Sequence, residues 1–306
     1  MSSSNAPSTP AFIDLALGLC WGAWTELGLA GWRRTHQDWA IDPEPLIVFT
    51  ARLANDDPRL RDEALDWCLR YWRHVSKARL KNQPTVEIND TSNSWGEFAA
   101  TVNRHSRAAW PHATDALTNY EPTGRSRLQA LTAPSLACLR MRAMFGLGAR
   151  TEILRELLFR PDVSMSVAQL ARAVGYTKRN VADECENLSR AGVLKMRGES
   201  NRFYFSLAAP NALETFVGEI APIRPDWNAL FAVVGQLIAF DRQSASSPAP
   251  VAFVEMHTTL SSVQADLDAL GLRGPSLTAD PNSGEAFRRW AVELLEDLAA
   301  GRWPTA

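Results

Sequence analysis

Val167-Ala168-Gln169-Leu170-Ala171-Arg172-Ala173-Val174-Gly175-Tyr176-Thr177-Lys178-Arg179-Asn180-Val181-Ala182-Asp183-Glu184-Cys185-Glu186-Asn187-Leu188 decides how this chain is read. Val167, Leu170, Ala171 and Val174 recur at helical spacing and make one apolar face. Ser166, just ahead, can accept from the free amides of the first turn. Gly175 stands where the chain must leave that helix, a position that favours positive φ. Thr177 then caps a second helix, whose buried stripe is Val181, Cys185 and Leu188. With the stripe set aside, Lys178, Arg179, Asn180, Asp183, Glu184 and Asn187 point outward. Arg and Lys bond guanine O6 and N7, and Asn bonds adenine N6 and N7. The first turn of the second helix therefore carries side chains that read base edges in a major groove. Asp183 and Glu184 repel phosphates, so they must read a cytosine amino group or lie off the backbone.

Working outward, Ala149 to Phe159 predicts a third helix with Ile153, Leu154, Leu157 and Leu158 inside, ended by Pro161 and Asp162. After Gly192 the period changes from helical to alternating. Leu194 and Met196 alternate with Lys195 and Arg197, and Phe203, Phe205 and Leu207 alternate with Arg202, Tyr204 and Ser206. Gly198-Glu199-Ser200-Asn201 between them reads as a hairpin loop. Three helices and a hairpin make a winged helix, with Arg197, Asn201 and Arg202 on the wing. Lys178, Arg179 and Asn180 are then the base readers, assisted by Thr177 and Asn187, while Tyr176, Arg197 and Arg202 meet phosphate or the minor groove.

The run Gly-Tyr-Thr-x-x-x-Val-x-x-x-Cys-x-x-Leu-x-x-x-Gly-Val-Leu, with the basic hairpin behind it, resembles the winged-helix transcriptional regulators of the ArsR and MarR type. The resemblance covers roughly residues 145 to 208. It implies DNA binding by a homodimer on a two-fold site. It does not carry metal sensing with it, because the Cys-x-Cys and Cys/His clusters of such sensors are missing, and the long flanks leave the effector open.

Helix-turn-helix patterns also occur in winged domains that bind only protein, so charge has to arbitrate. From Arg125 to Ser206 there are fourteen Lys and Arg against seven Asp and Glu, a net of +7 inside a chain whose total is −2. Residues 1 to 124 carry −3 and residues 207 to 306 carry −6. A basic module in acidic surroundings is what a phosphate partner requires.

The 306 residues divide into a disordered leader at 1–10, a Trp-rich helical domain at 11–124, the winged helix at 125–208, and a helical segment at 209–306 for dimerisation or effector binding. The fold class is mainly α. Ala11 to Trp32 is apolar, but Asp14, Glu26 and four glycines argue for a buried helix over a membrane span. Cys20, Cys68, Cys138 and Cys185 are widely spaced, which fits reduced thiols in the cytoplasm. Asp42-Pro43 and Asp57-Pro58 each predict a capping carboxylate ahead of a helix. After Asp57, Leu60, Ala64, Trp67, Cys68, Tyr71, Val75 and Ala78 read as one helical face, with Arg70, Arg73, His74, Lys77 and Lys81 opposite. That basic stripe is read as a solvated face over a second DNA contact. Eight of the eleven Trp lie before residue 125, and a Trp-rich core or interface is preferred to an aromatic ligand pocket. Asp266 and Asp268 are read as decorating an exposed helix face.

Catalytic constellations are missing: there is no G-x-S-x-G, P-loop, H-E-x-x-H or G-x-G-x-x-G, and the five His lack metal-ligand spacing. The expectation is a non-enzymatic, cofactor-free and metal-free homodimeric repressor of double-stranded DNA. The alternative is a DNA-binding regulatory partner, an antitoxin or defence-system adaptor, whose Trp-rich half holds another protein.

Overall fold

Side-chain caps at Asp57, Ser76, Asn93, Ser166 and Thr177 start five helices in the structure, a computed structural model that describes residues 11–30, 34–84, 93–128, 130–199, 201–244, 249–276 and 283–304. The leader at 1–10, Trp32, Ser200 and most of the 84–95 loop lie outside the described residues. In the first half, α1 (Phe12–Glu26), α2 (Pro43–Arg52), α3 (Pro58–Tyr71), α4 (Lys77–Lys81) and α5 (Ser94–His105) follow one another. In the centre come α6 (Ala137–Phe145), α7 (Ala149–Phe159), β1 (Met165–Ser166), α8 (Val167–Val174), α9 (Lys178–Arg190), β2 (Leu194–Glu199) and β3 (Arg202–Leu207). The chain closes with α10 (Pro210–Val217), α11 (Trp227–Ser244), α12 (Ala249–Leu270) and α13 (Ser283–Ala299). The protein is mainly helical, and among the described residues there is one small antiparallel sheet, in the order β1-β3-β2. Among the described residues no helix is long and apolar enough to cross a membrane.

Two apolar cores form. The larger joins α1–α3 and α5 to α11 and α13, so the first and last thirds of the chain pack as one body. The C-terminal helices α11 and α13 pack against the N-terminal half. Trp24, Trp39 and Trp67 are fully buried there. Their indole N–H groups donate to Thr50 Oγ1 (2.8 Å), Gly301 O (2.7 Å) and Leu27 O (2.7 Å). Trp227 donates likewise to Ala40 O (2.8 Å). Large rings with satisfied polar edges are core residues, as the sequence reading preferred for Trp24, Trp39 and Trp67. The smaller core gathers Ile153, Leu157, Leu170, Val174, Val181, Cys185, Leu188, Leu194, Phe205 and Leu207 from α7–α9 and the hairpin. All four cysteines are free and buried, and burial pushes the Cys185 thiol up to about 12.

The helix expected from Asp57 through Ala78 is broken. Asp57 does cap α3, accepting from Leu60 N at 3.0 Å, but α3 ends at Tyr71 and a 3-10 turn follows. Ser76 then starts α4, because its amide donates to Glu44 Oε1 (2.6 Å) and its hydroxyl accepts from Arg79 N (3.3 Å). The basic stripe is divided by that break, and Arg70 donates to Ser126 O at 3.2 Å.

Asp66 of α3 is buried and holds the stretch that leads into the central helices. One oxygen accepts from Tyr120 Oη (2.9 Å), Thr123 N (2.8 Å) and Gly124 N (2.7 Å), the other from Ser126 N (3.0 Å). Burial alone would raise this carboxyl, but the donors outweigh it and hold it at about 2. Because the folded value lies below the unfolded one, the stabilisation is full above about pH 4 and is lost as pH falls toward 2. Asp66→Asn should lower stability by about 2 kcal/mol at neutral pH. In urea unfolding the gap to wild type should close on acidification, and an equal gap at low pH would contradict this anchoring.

Candidate nucleic-acid interface

The α8–α9 pair is built by local chemistry. Ser166 Oγ accepts from Gln169 N while Gln169 Oε1 accepts from Ser166 N (2.9 Å), a capping box that starts α8. Gly175 ends it at φ +70°, a left-handed backbone that a Cβ would strain. Thr177 Oγ1 accepts from Asn180 N at 3.3 Å and starts α9. Val181, Cys185 and Leu188 are buried as the stripe required. Lys178, Arg179, Asn180 and Asn187 are exposed on the opposite side.

β2 and β3 pair from Leu194↔Leu207 to Glu199↔Arg202. Arg197, Asn201 and Arg202 are exposed on this hairpin. β1, which sequence periodicity did not reveal, adds Met165↔Phe205 and Ser166↔Tyr204. It thereby ties the start of α8 to the hairpin.

Tyr176 departs from expectation. Its ring is half-buried, and its hydroxyl shares a 2.8 Å hydrogen bond with Ser76 Oγ. Asn82 Nδ2 also donates to Gly175 O at 3.0 Å. The α8–α9 turn is therefore seated on α4, and Tyr176 positions the pair from behind instead of facing outward.

Charge at this surface is partly spent within the chain. Arg150 pairs with Glu184 (2.9 Å), Arg190 with Glu186 (2.6 Å) and Arg197 with Glu199 (2.8 Å). These exposed pairs are each worth only about 0–1 kcal/mol, so an incoming phosphate competes with them readily. Lys178, Arg179, Lys195 and Arg202 are exposed and enter no ion pair among the described residues. Of the fourteen cations between 125 and 206, Arg140, Arg142 and Arg155 are buried, as are two of the seven acids, Glu152 and Glu156. Arg125 and Arg127 lie on the stretch held by Asp66 and Gly28, so within residues 137–207 nine cations against five acids remain outside, still a basic excess.

Beneath it lies a buried network that sequence reasoning missed. Asp42 does not cap α2, as Asp-Pro had suggested. Both its oxygens accept from Arg79 (2.6 Å each), and one also accepts from Arg155 (2.8 Å). Glu44 accepts two bonds of 2.8 Å from Arg142 and another from Arg79. Glu152 accepts from Arg142 Nε (2.7 Å) and lies 3.1 Å from Arg155 Nε. Three carboxylates and three guanidiniums balance, joining α2 and α4 of the larger core to α6 and α7 of the smaller. Burial would raise the Asp42 and Glu152 carboxyls, but the surrounding guanidiniums win and hold both below the ordinary range.

No family model, curated protein or solved structure matches the chain.

Proposed function

We propose that residues 137–207 form a winged helix that binds double-stranded DNA in a sequence-specific way, and that the protein acts in the cytoplasm as a homodimeric repressor. The observation that carries this reading is the first turn of α9. Lys178, Arg179 and Asn180 stand exposed on a capped helix end, the two cations in no ion pair among the described residues, beside a hairpin bearing Lys195 and Arg202. Lys178, Arg179 and Asn180 read bases, with Thr177 and Asn187 alongside. Arg197, Asn201 and Arg202 hold the backbone or the minor groove.

A selection from random duplexes tests the reading: an enriched motif is expected, and recovery of unselected sequence would oppose it. Arg202→Ala should weaken all duplexes alike and reduce the salt slope by about one. A loss confined to one base position would reassign Arg202 to base reading.

A second reading, in which this region holds another protein, is favoured by one feature. The inward face of the hairpin overhangs the helices, leaving Met196 55% and Phe203 57% exposed over a groove of about 870 Å³ shared with Val167 and Ala182. Phosphate has no use for apolar side chains there. Failure of the duplex selection would move the proposal to this surface.

A further inference from the structure

Three acids lie on α9, and their surroundings separate them. Glu184 turns toward α7, where Arg150 pairs with it at 2.9 Å. Glu186 turns toward the hairpin and pairs with Arg190 at 2.6 Å, and both line the groove shared with Phe203. Asp183 is left over. It is exposed and enters no hydrogen bond or ion pair among the described residues.

At about 3.6 residues per turn, Asp183 lies nearly opposite the mean direction of the buried Val181, Cys185 and Leu188. It therefore forms the crest of the outward face. Arg179 stands one turn before it and Asn187 one turn after it, both exposed. A duplex whose major groove meets Arg179 and Asn187 must also meet Asp183 between them.

An ionised carboxylate is an acceptor only. A phosphate placed against it would meet like charge. Guanine N7 and O6 and thymine O4 are acceptors too, and adenine sets its N7 acceptor beside its N6 amino group. Cytosine presents the N4 amino donor alone in the major groove, and so it fits this side chain.

We propose that Asp183 is a specificity-determining residue that accepts from the N4 amino group of a cytosine, on a base pair flanked by those that Arg179 and Asn187 meet. The assignment rests on the DNA reading of α9 and adds to it the identity of one base.

Duplex selection with wild type and Asp183→Ala side by side tests it. Wild type should enrich a motif with a fixed C·G pair that Asp183→Ala no longer fixes. The substitution also removes a negative charge from the face, so affinity for a scrambled duplex should rise a few-fold. Preference for the selected duplex should meanwhile fall about tenfold. A loss of folding would lower both affinities together, and the thermal midpoint, expected to be unchanged, controls for it. Replacing the selected cytosine by pyrimidin-2-one, which lacks the amino group, should cost wild type about tenfold and Asp183→Ala little. If wild type enriches no motif, the DNA reading fails and this assignment with it. If Asp183→Ala enriches the same motif as wild type, or loses as much to pyrimidin-2-one, the DNA reading stands and the assignment of Asp183 is overturned.

Discussion

Arg142→Met is expected to remove about 3–5 kcal/mol of unfolding free energy, a large share of the roughly 5–15 kcal/mol of an ordinary domain. Arg142 donates to Glu44 twice (2.8 Å), to Glu152 (2.7 Å) and to His74 O (2.7 Å), all away from water. Its loss leaves two buried carboxylates short of their partner, and that desolvation is what the variant would expose. Methionine keeps much of the volume, so the cost belongs to charge and not to a cavity. Urea unfolding of Arg142→Met, Glu44→Gln and the double variant separates the terms. The double variant should lose clearly less than the sum of the singles, because each single leaves a charge stranded. A loss below about 1 kcal/mol for Arg142→Met would show that the network is incidental to stability.

The second large effect is on binding. Lys178→Ala and Arg179→Ala should each cost about 1–3 kcal/mol on a selected duplex and relax discrimination at one base position. Neither side chain touches the core, so thermal stability should be unchanged. That separation matters, since a variant that weakened binding by loosening α9 would also shift the midpoint. If each loss were uniform over all sequences, these cations would be holding phosphate, and base reading would fall to Asn180 and Asn187.

Much of the central region was legible because its signals are local. Ala149–Phe159 was read with its observed ends, since Leu and Ile recur at helical spacing up to Pro161. Ser166, Gly175 and Thr177 mark the α8–α9 boundaries by capping chemistry that acts over three or four residues. β1 was missed because two residues display no period. The break after Tyr71 was missed for a different reason. Val75 and Ala78 continue the helical spacing, and the group that captures the Ser76 amide is Glu44, thirty-two positions away.

The same distance hides the buried network. Asp42, Glu44, Arg79, Arg142, Glu152 and Arg155 look like scattered surface charges until tertiary packing brings them together. Tyr176 reads as a contact to phosphate or the minor groove, yet Ser76, a hundred positions upstream, holds its hydroxyl. An amphipathic face, finally, announces that it will be covered but not by what. Thus the apolar faces of α11 and α13 are legible in the sequence, but their packing on the chain's own N-terminal half is not.

The proposal that the exposed first turn of α9 reads duplex DNA is open to direct measurement. Its most direct test is the affinity of the full chain for its best selected duplex and for a scrambled one, measured at two salt concentrations with wild type and Arg179→Ala. Wild type should prefer the selected duplex at both salts, and Arg179→Ala should narrow the preference by at least about tenfold. Equal affinity of wild type for the two duplexes, or a preference untouched by Arg179→Ala and Lys178→Ala together, would contradict it.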